Sequence, residues 1–255
     1  MTSDAVAIMR RRCYGFYWKM RDRIVPGLEY SQTIYERVLD DALRTRTRWL
    51  DVGCGHQALP SWRGEAESGL VARASRAVGV DYDFDSLRHH RTLRHRVRAD
   101  IATLPFRDAS FDLVTANMVL EHLKDPQSQL NEIFRVLEPG GVFLAHTVNV
   151  RGYLTIAAKL LPESLKPSLV WWLERRRPAD LFPTHYRINS EALLYKYGHS
   201  SGFSDISVRY ILSDAQMVMV PPLAVAELFA IRLLMKHRFR RLRTNLIALM
   251  TKPGP

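Results

Sequence analysis

The chain has 255 residues, of which 47% are hydrophobic, so it can bury one large core in a single α/β domain. Its 37 Lys and Arg residues outnumber its 26 Asp and Glu residues, and the resulting net charge of +11 favours anionic partners. The two cysteines, Cys13 and Cys54, lie far apart, which argues against a disulfide framework or a zinc site. We therefore expect no metal and a reducing, cytoplasmic environment.

The first part of the chain alternates predicted strands with predicted helices. Apolar runs predict strands over 48–52, 77–80, 97–101, 111–116 and 142–148. Helical periodicity predicts helices over 34–43 and 85–95, and a third that begins after Asp125 and ends before Pro139. This rhythm predicts an α/β fold in which a mostly parallel sheet carries helices on both faces.

The rhythm breaks after the fifth strand. Residues 150–203 contain Trp171, Trp172 and a triple arginine, and we interpret them as a helical insertion that covers the substrate. Strands over 206–212 and 246–250 would complete a Rossmann-like sheet of seven strands. We expect one structural domain with four parts: an N-terminal helical segment covering the cofactor site (1–47), a cofactor-binding core (48–149), the insertion (150–203) and a closing segment (204–255).

The closing segment contains an apolar helical stretch, 221–235, followed by the basic run 236–243. Glu227 and Arg232 interrupt the apolar stretch, which is also too short to cross a bilayer. Its apolar residues recur at helical spacing, which fits either a helix packed against the sheet or an interfacial helix on a membrane. Peripheral membrane contact through 221–243 is therefore one prediction about partners, and the oligomeric state stays open.

The turn after the first strand carries the clearest chemical signal. Gly53 and Gly55 permit backbone conformations that a side chain would forbid, so main-chain N–H groups can face a ligand. Asp81 and Asp100 follow the next two strands, and the carboxyl ends of parallel strands meet at one edge of a sheet. One carboxylate can accept both ribose hydroxyls and the other the exocyclic amine of adenine. Together these residues predict a nucleoside pocket.

Over residues 30–150 the chain resembles the type 11 group of class I S-adenosylmethionine-dependent methyltransferases. The motifs that carry the resemblance are, in chain order, Leu50-Asp51-Val52-Gly53-Cys54-Gly55, Gly79-Val80-Asp81, Ala99-Asp100-Ile101, Leu104-Pro105-Phe106, Ser110-Phe111-Asp112-Leu113-Val114, Glu121-His122-Leu123 and Leu137-Glu138-Pro139-Gly140-Gly141. The resemblance implies an enzyme with S-adenosylmethionine as its cofactor. It also implies that 246–252 forms the family's last, antiparallel strand.

The resemblance assigns roles to individual residues. They are the loop around the methionine part (Asp51, Gly53, Gly55), the ribose-binding acid (Asp81), the adenine contact (Asp100, Ile101) and contacts near the sulfonium (Asn117). The full set of predicted cofactor-binding residues is Asp51, Gly53, Cys54, Gly55, His56, Asp81, Tyr82, Asp100, Ile101, Asn117, Met118 and His122. The family usually has a third glycine where this chain has Gln57, so we expect the methionine end of the pocket to differ in shape. His56 and Gln57 either contact the cofactor or point to solvent.

A sulfonium activates its own methyl group, so the protein must mainly align an incoming nucleophile, and a base is optional. Where the acceptor is a hydroxyl, a neutral imidazole could take its proton. His122, beyond the fourth strand, is the first candidate, followed by His146 in the fifth strand and His185 in the insertion. Aromatic residues that could form a lid are Tyr30, Tyr35, Trp171, Trp172 and Tyr186.

Other functions fit parts of the pattern. A nicotinamide dehydrogenase matches the glycine fingerprint, but Asp81 lies 28 residues beyond Gly53 instead of about 20. A non-catalytic cofactor-binding or membrane-docking protein and an RNA methyltransferase stay open as alternatives. The basic clusters are scattered without an RNA-binding module, so nucleic acid is not favoured. We favour a small-molecule or lipid-linked acceptor, with O-methylation slightly preferred.

Overall fold

A computed structural model describes residues 3–44, 47–160 and 183–254. The chain groups into two compact units. The larger unit comprises Gln32–Val150, Pro183–Arg209 and Asn245–Pro255. Within the described residues, the smaller unit takes in the chain up to Ser31, from Arg151 to Leu160 and from Tyr210 to Thr244. The four-part division at 1–47, 48–149, 150–203 and 204–255 remains a prediction.

Seven strands form one sheet in the order β3-β2-β1-β4-β5-β7-β6. They are β1 (Arg48–Val52), β2 (Arg76–Asp81), β3 (His95–Arg98), β4 (Phe111–Asn117), β5 (Leu137–Val148), β6 (Asp205–Ile211) and β7 (Asn245–Thr251). Strands β1 to β5 pair in parallel, and β7 runs antiparallel to β5. The Rossmann-like, mostly parallel sheet and the antiparallel last strand are therefore confirmed. The strand order reverses between β1 and β4, where ligands bind in open α/β sheets.

The described helices are α1 (Ser3–Ile24), α2 (Ser31–Ala42), α3 (Gly64–Arg73), α4 (Phe84–Arg88), α5 (Pro126–Val136), α6 (Tyr153–Leu160), α7 (Glu191–Ser200) and α8 (Pro221–Leu234). Short 3₁₀ segments span Ser61–Arg63, Leu120–His122 and His237–Leu242. Helix α5 begins as predicted, because the Asp125 carboxylate accepts from the Ser128 N–H at 3.4 Å and Pro126 occupies the first turn. Trp171, Trp172 and Arg175 to Arg177 lie outside the described residues.

The second crossover is shorter than we predicted. Helix α4 ends at Arg88 instead of continuing to residue 95, because the His90 Nδ1 accepts from the backbone N–H groups of Thr92 and Leu93 in a turn. The Arg96 guanidinium donates to the Leu87 carbonyl at 2.8 Å, which satisfies a carbonyl of the helix end. Strand β3 also begins and ends earlier than 97–101.

The third strand ends before Asp100 because a side chain turns the chain there. The Asp100 carboxylate accepts from the Ala102 N–H at 2.9 Å, and the Asp100 carbonyl accepts from the Thr103 N–H at 3.0 Å. Such a turn competes with strand pairing. Asp100 and Ile101 therefore lie in the loop beyond β3.

Strand β5 begins five residues earlier than we predicted, at Leu137 rather than residue 142. Leu137 pairs with Phe111, and the register then shifts so that Val142 pairs with Leu113. Gly140 has a φ of +79°, which a residue with a Cβ rarely adopts, and it sits inside this irregularity. The glycines therefore form a bulge within the strand, where we had expected them only to end the helix.

The smaller unit packs α1 against α8. Its buried core contains Tyr17 and Ile24 of α1 with Leu228 and Ile231 of α8. The Arg21 guanidinium donates to the Asp214 carboxylate at 2.7 Å. The inner face of α8 thus packs on α1 within the smaller unit. Among the described residues, no helix is long and apolar enough to cross a membrane.

Candidate cofactor site

The loop after β1 is held against the end of β2. The backbone N–H groups of Gly53 and Cys54 both donate to the Val80 carbonyl, at 2.7 and 3.1 Å. Gly53 and Gly55 have φ angles of +67° and +54°, in the left-handed region that favours glycine. A Cβ on Gly53 would lie 2.5 Å from the Val119 Cγ2, whereas a Cβ on Gly55 would meet no atom within 4 Å. Open space therefore adjoins the loop at Gly55.

The Asp81 carboxylate organises both neighbouring loops. One oxygen accepts from the Gly55 N–H at 2.8 Å, and the other accepts from the Asp83 N–H at 2.8 Å. Asp81 is half-buried, and each carboxylate oxygen has a second lone pair for a further donor. The glycine loop and the acid at the end of β2 are thus brought together, as the nucleoside-pocket hypothesis requires.

Asp51 lies beneath the loop in a buried chain of hydrogen bonds. The Thr115 hydroxyl donates to the Asp51 carboxylate at 2.5 Å and accepts from the Trp49 indole N–H at 2.7 Å. Burial raises the pKa of Asp51 to about 7, an effect that the Thr115 hydrogen bond opposes and that the nearby carboxylates of Glu67 and Asp81 increase. Asp51 therefore supports the strand that presents the loop. Its predicted contact with the methionine part remains a prediction.

The predicted adenine end of the site is open. Asp81 pairs in register with Arg98 of β3, so the ends of β2 and β3 lie side by side. The Tyr82 side chain is 69% exposed, and the Arg98 guanidinium carbon lies 5.5 Å from the centroid of its ring. Asp100 is exposed and Ile101 is half-buried in the loop beyond β3. These side chains are accessible to an adenine ring, and their contacts with one remain predictions.

Cys54 and His56 differ in environment. Cys54 is buried, and its sulfur lies 2.7 Å from where a Cβ on Gly79 would sit. Burial raises the pKa of the Cys54 thiol, with the Asp51 carboxylate adding to the effect. His56 is exposed, and its ring centroid lies 6.4 Å from that of His89. Cys54 packs against Gly79 of β2, whereas His56 is accessible at the loop surface.

Asn117 ends β4 inside a polar network. Its amide donates to the Ala58 carbonyl at 3.1 Å and to the Gln32 side-chain oxygen at 3.0 Å. Its side-chain oxygen lies 2.9 Å from the Nδ1 of His146. Since that oxygen only accepts, His146 carries its proton on Nδ1. The following residue, Met118, has a φ of +60°, so the chain turns sharply at this strand end.

The His146 ring is enclosed. Its Nε2 lies 3.3 Å from the Asn245 amide nitrogen, and Tyr35 stacks on it with ring centroids 5.6 Å apart. Burial lowers the pKa of His146 to about 3. Tyr35 is also fully buried, so it belongs to the core instead of a surface lid.

His122 and His185 meet around Glu121. The backbone N–H of His185 donates to the Glu121 carbonyl at 2.7 Å, and the His122 Nδ1 lies 2.9 Å from the Pro183 carbonyl oxygen. In a neutral ring this contact places the proton on Nδ1 and the lone pair on Nε2. The buried Nε2 of His185 has no hydrogen-bond partner among the described residues. The structure thus brings together two of the three predicted histidines.

Several buried polar residues near the site were not predicted. The Glu121 carboxylate accepts from the Thr147 hydroxyl at 2.8 Å, and that hydroxyl accepts from the Asn189 amide at 2.7 Å. Burial raises the pKa of Glu121, an effect that Thr147 and His122 oppose. Glu121 belongs to the motif Glu121-His122-Leu123, in which we assigned it no role. Its position next to His122 was the signal that could have identified it. Thr147 and Asn189 lie 42 positions apart, and no local pattern connects them.

A separate cleft opens between α2 and α3, with a volume of about 490 Å³. Its walls include Glu36 and Asp40 of α2, and Arg63 and Arg73, which pair with these two acids. None of the predicted cofactor residues lines it. Within the described ranges no cluster of His, Cys, Asp or Glu has the arrangement of a metal site.

The parallel sheet and the site at the ends of β1, β2 and β4 define a Rossmann-like domain of the nucleotide-binding type. Residues 50–145 match a family model described as a methyltransferase domain. We therefore identify residues 50–145 as a methyltransferase domain, and relatives that this chain matches are named as S-adenosylmethionine-dependent.

Relatives and solved structures agree with this identification. The chain is 37% identical over 136 residues to a Mycolicibacterium smegmatis protein named "Probable S-adenosylmethionine-dependent methyltransferase", covering 50% of each chain. It is 32% identical over 155 residues to a malonyl-[acyl-carrier protein] O-methyltransferase of Enterobacter lignolyticus, covering 55% of this chain and 53% of the relative. The chain spans about half the length of the curated relatives it matches.

The fold alone is similar to that of a Mesorhizobium loti S-adenosylmethionine-dependent methyltransferase, with a TM-score of 0.57 at 17% identity over 88% of this chain and 99% of that one. A Methanosarcina mazei methyltransferase gives a TM-score of 0.55 at 15% identity over 86% of this chain and 98% of that one.

Proposed function

We propose that this protein transfers the methyl group of S-adenosylmethionine to an oxygen of a small-molecule or lipid-linked acceptor. The observation that carries the proposal is the hydrogen bond between the Asp81 carboxylate and the Gly55 N–H, which joins the second strand end to the glycine loop. This bond places a carboxylate that can accept ribose hydroxyls beside the glycine loop. Gly55 has no side chain there, and open space adjoins its backbone. The residues present therefore fit the cofactor.

Residues at different strand ends would bind different parts of the cofactor. Asp81 would accept the ribose hydroxyls, and the loop from Gly53 to Gly55 would lie against the methionine part. Asp100 and Ile101, in the loop beyond β3, would contact the adenine. When bound, S-adenosylmethionine supplies a methyl group already activated by its sulfonium. The chain's own task is then to hold the acceptor oxygen in line with that carbon and to exclude water.

His122 is the residue that we assign to proton removal from the acceptor. The Pro183 carbonyl, 2.9 Å from its Nδ1, orients the ring and fixes the proton on that nitrogen. The lone pair of Nε2 can then accept the proton of a hydroxyl acceptor. Buried Glu121 precedes His122 in the chain, and the charge of His122 lowers the Glu121 pKa against the effect of burial. The Nε2 of His185 has no hydrogen-bond partner among the described residues, so His185 is the second candidate for proton removal.

His146 takes a positioning role in this scheme. Both of its nitrogens face amide side chains, and it is fully buried, so it cannot approach an acceptor without disrupting the network. Its Nδ1 proton fixes the Asn117 side-chain oxygen, which leaves the Asn117 amide to hold Gln32 and the Ala58 carbonyl. We infer that His146 orients Asn117 beside the sulfonium end of the site.

The choice of acceptor class rests on similarity. Three of the relatives are named malonyl-[acyl-carrier protein] O-methyltransferase, and they match 55%, 58% and 45% of this chain. Such an acceptor carries a carboxylate on a carrier-bound acyl chain, and methylating a carboxylate needs no strong base. We therefore extend the proposal from hydroxyls to carboxylates. A carboxylate acceptor needs no deprotonation, and His122 would bind it only as an imidazolium, whose Nε2–H can donate to the carboxylate.

The test uses methyl-labelled S-adenosylmethionine with two acceptor preparations, malonyl-acyl carrier protein and a bacterial lipid extract. We expect label in one of them and equimolar S-adenosylhomocysteine. His122→Asn should lower the rate by about a hundredfold or more where the acceptor is a hydroxyl. His199→Asn is the matched control, because the His199 Nδ1 likewise lies 3.1 Å from a carbonyl, that of Phe203. Absence of S-adenosylmethionine binding by calorimetry would reject the proposal, and binding without any product would favour a non-catalytic binding protein.

A further inference from the structure

The outer face of α8 is apolar along its length although it lies at the surface. Leu228, Ile231 and Leu234 are buried on the inner face, in the core shared with α1. The surface positions of α8 are Pro222, Leu223, Ala226, Phe229, Ala230, Arg232 and Leu233. All seven are described, and Arg232 is the only charged residue among them. We call the six apolar residues the outer face of α8.

A helix that is apolar on both faces is normally buried on both faces by other parts of its environment. Phe229, Leu223 and Leu233 are 55%, 51% and 43% exposed, so three large apolar side chains of one helix face solvent. Residues 222, 226, 229 and 233 follow one another at intervals of four, three and four, so they form a continuous stripe. A stripe of this kind marks an interaction surface.

Positive charge continues directly from the end of the stripe. Lys236, Arg238 and Arg241 are exposed in and beside the 3₁₀ segment His237–Leu242, and residues 228–255 contain no acidic residue. The Arg238 guanidinium carbon lies 4.5 Å from the centroid of the Phe239 ring. Exposed apolar area beside basic side chains supplies both sources of affinity for an anionic bilayer, which are burial of apolar groups and attraction to lipid phosphates.

Helix α1 carries further exposed residues of the same kind in the smaller unit. Phe16 and Trp18 are 42% and 46% exposed, and the neighbouring Arg11, Arg12 and Lys19 are exposed as well. The smaller unit therefore combines aromatic and basic side chains on both helices that form its core.

We propose that the outer face of α8 docks on an anionic lipid bilayer. The apolar side chains enter the boundary between headgroups and acyl chains, and Lys236, Arg238 and Arg241 contact lipid phosphates. The helix lies in the plane of the membrane, because its 14 residues are too few to span one. The proposal does not depend on methyl transfer, and its test needs no methyl donor.

The experiment measures co-sedimentation of the full chain with large vesicles of phosphatidylcholine, alone or with 30% phosphatidylglycerol as a chosen composition of roughly physiological charge. We expect binding to the anionic vesicles that weakens with salt, and little binding to the neutral ones. Phe229→Ser with Leu233→Ser should lower the partition coefficient by about tenfold or more. Lys236→Gln with Arg238→Gln should lower it by on the order of tenfold on anionic vesicles alone.

Trp62→Ser is the matched control, since Trp62 is 59% exposed in the larger unit and should leave binding unchanged. Circular dichroism checks that each variant is folded. Failure of the unaltered chain to bind anionic vesicles would overturn the proposal, as would binding that survives both double substitutions. Sedimentation velocity decides a third case: a dimer that dissociates on Phe229→Ser with Leu233→Ser would assign the outer face of α8 to a second copy instead of a membrane.

Discussion

The Asp81 carboxylate accepts a hydrogen bond from the backbone N–H of Gly55 at a distance of 2.8 Å. These two residues lie at the ends of different strands, 26 positions apart in the chain. The contact couples the shape of the glycine loop to the charge of the acid. A substitution at either position should therefore affect cofactor binding in two ways, through the lost group and through the displaced neighbour.

We expect Asp81→Ala to weaken binding of S-adenosylmethionine and S-adenosylhomocysteine by roughly tenfold to a hundredfold, because each lost hydrogen bond to a charged group is worth about 1.5 to 3 kcal/mol. Asp81→Asn should lose less, since its amide oxygen can still accept from Gly55. Isothermal titration calorimetry measures both. Asp205→Ala, which removes an exposed acid at the start of β6, serves as control. Unchanged affinity in Asp81→Ala would show that the cofactor lies elsewhere.

The two loop glycines should differ in their tolerance of alanine. Gly55→Ala meets no neighbour and costs only its left-handed conformation, about 1 to 2 kcal/mol of unfolding free energy. Gly53→Ala pays the same conformational cost and also forces a Cβ to within 2.5 Å of Val119. We expect it to lose more stability, and adding Val119→Ala should relieve the contact but not the conformation. Urea unfolding of the four proteins without ligand checks this order. Equal losses for the two glycines would contradict the close approach of Val119.

Thr115 links Asp51 to Trp49, and its hydroxyl is needed by both. Thr115→Val keeps the shape but leaves a buried N–H and a buried carboxyl without this partner, which should cost about 2 to 4 kcal/mol of unfolding free energy. Thr115→Ser retains the hydroxyl and should cost much less. Urea denaturation at matched pH values measures both variants.

The loss in Thr115→Val should also depend on pH. In the folded protein the pKa of Asp51 is about 7, against an ordinary value of 3.8, so the stability contributed by its neutral form is present at low pH and falls as pH rises through 7. Removing the Thr115 hydrogen bond disfavours the charged form further. We therefore expect a larger loss at pH 8 than at pH 5.5. A loss independent of pH would show that Asp51 is not the partner that matters.

Much of the fold was predictable because the signals were local. The buried strand 48–52, the Asp125 cap of α5 and the apolar pattern of 246–250 each depend on neighbouring residues, and each element was found where it was predicted. Two of the errors, at the ends of α4 and β3, came from side-chain hydrogen bonds that hydrophobic periodicity does not record. The Arg96 side chain ends α4 by reaching back nine residues to Leu87, and no periodicity records such a contact.

The same distinction separates what was predictable at the site from what was not. Glycines and acids at strand ends can be recognised from their positions in the sequence. The sequence alone therefore groups Gly53, Gly55 and Asp81 at one site. The side chains that hold Asn117 come from Gln32, 85 positions earlier, and from His146, 29 positions later. The sheet register sets Asn117 beside His146, and helix α2 supplies Gln32.

The burial of His146 leads to a prediction whose sign is opposite to that for Asp51. In the folded chain its pKa is about 3, against an ordinary 6.5, so only the unfolded chain takes up a proton as pH falls below 6.5. This ring therefore contributes stability at neutral pH that is lost progressively between about pH 6.5 and 3. His146→Gln removes that dependence, and the Asp51 effect, present in both proteins, cancels in their difference.

We expect the destabilisation by His146→Gln to be about 2 kcal/mol smaller at pH 5 than at pH 7.5, because 1.5 pH units below the unfolded pKa correspond to roughly that free energy. Urea unfolding at the two pH values gives the difference directly, and proton uptake on unfolding at pH 5 should be about one lower in the variant. If the difference in unfolding free energy between the two proteins does not change with pH, His146 must have the same pKa in the folded and the unfolded chain. Its ring would then be accessible to a substrate, and direct proton transfer by His146 would replace the positioning role proposed above.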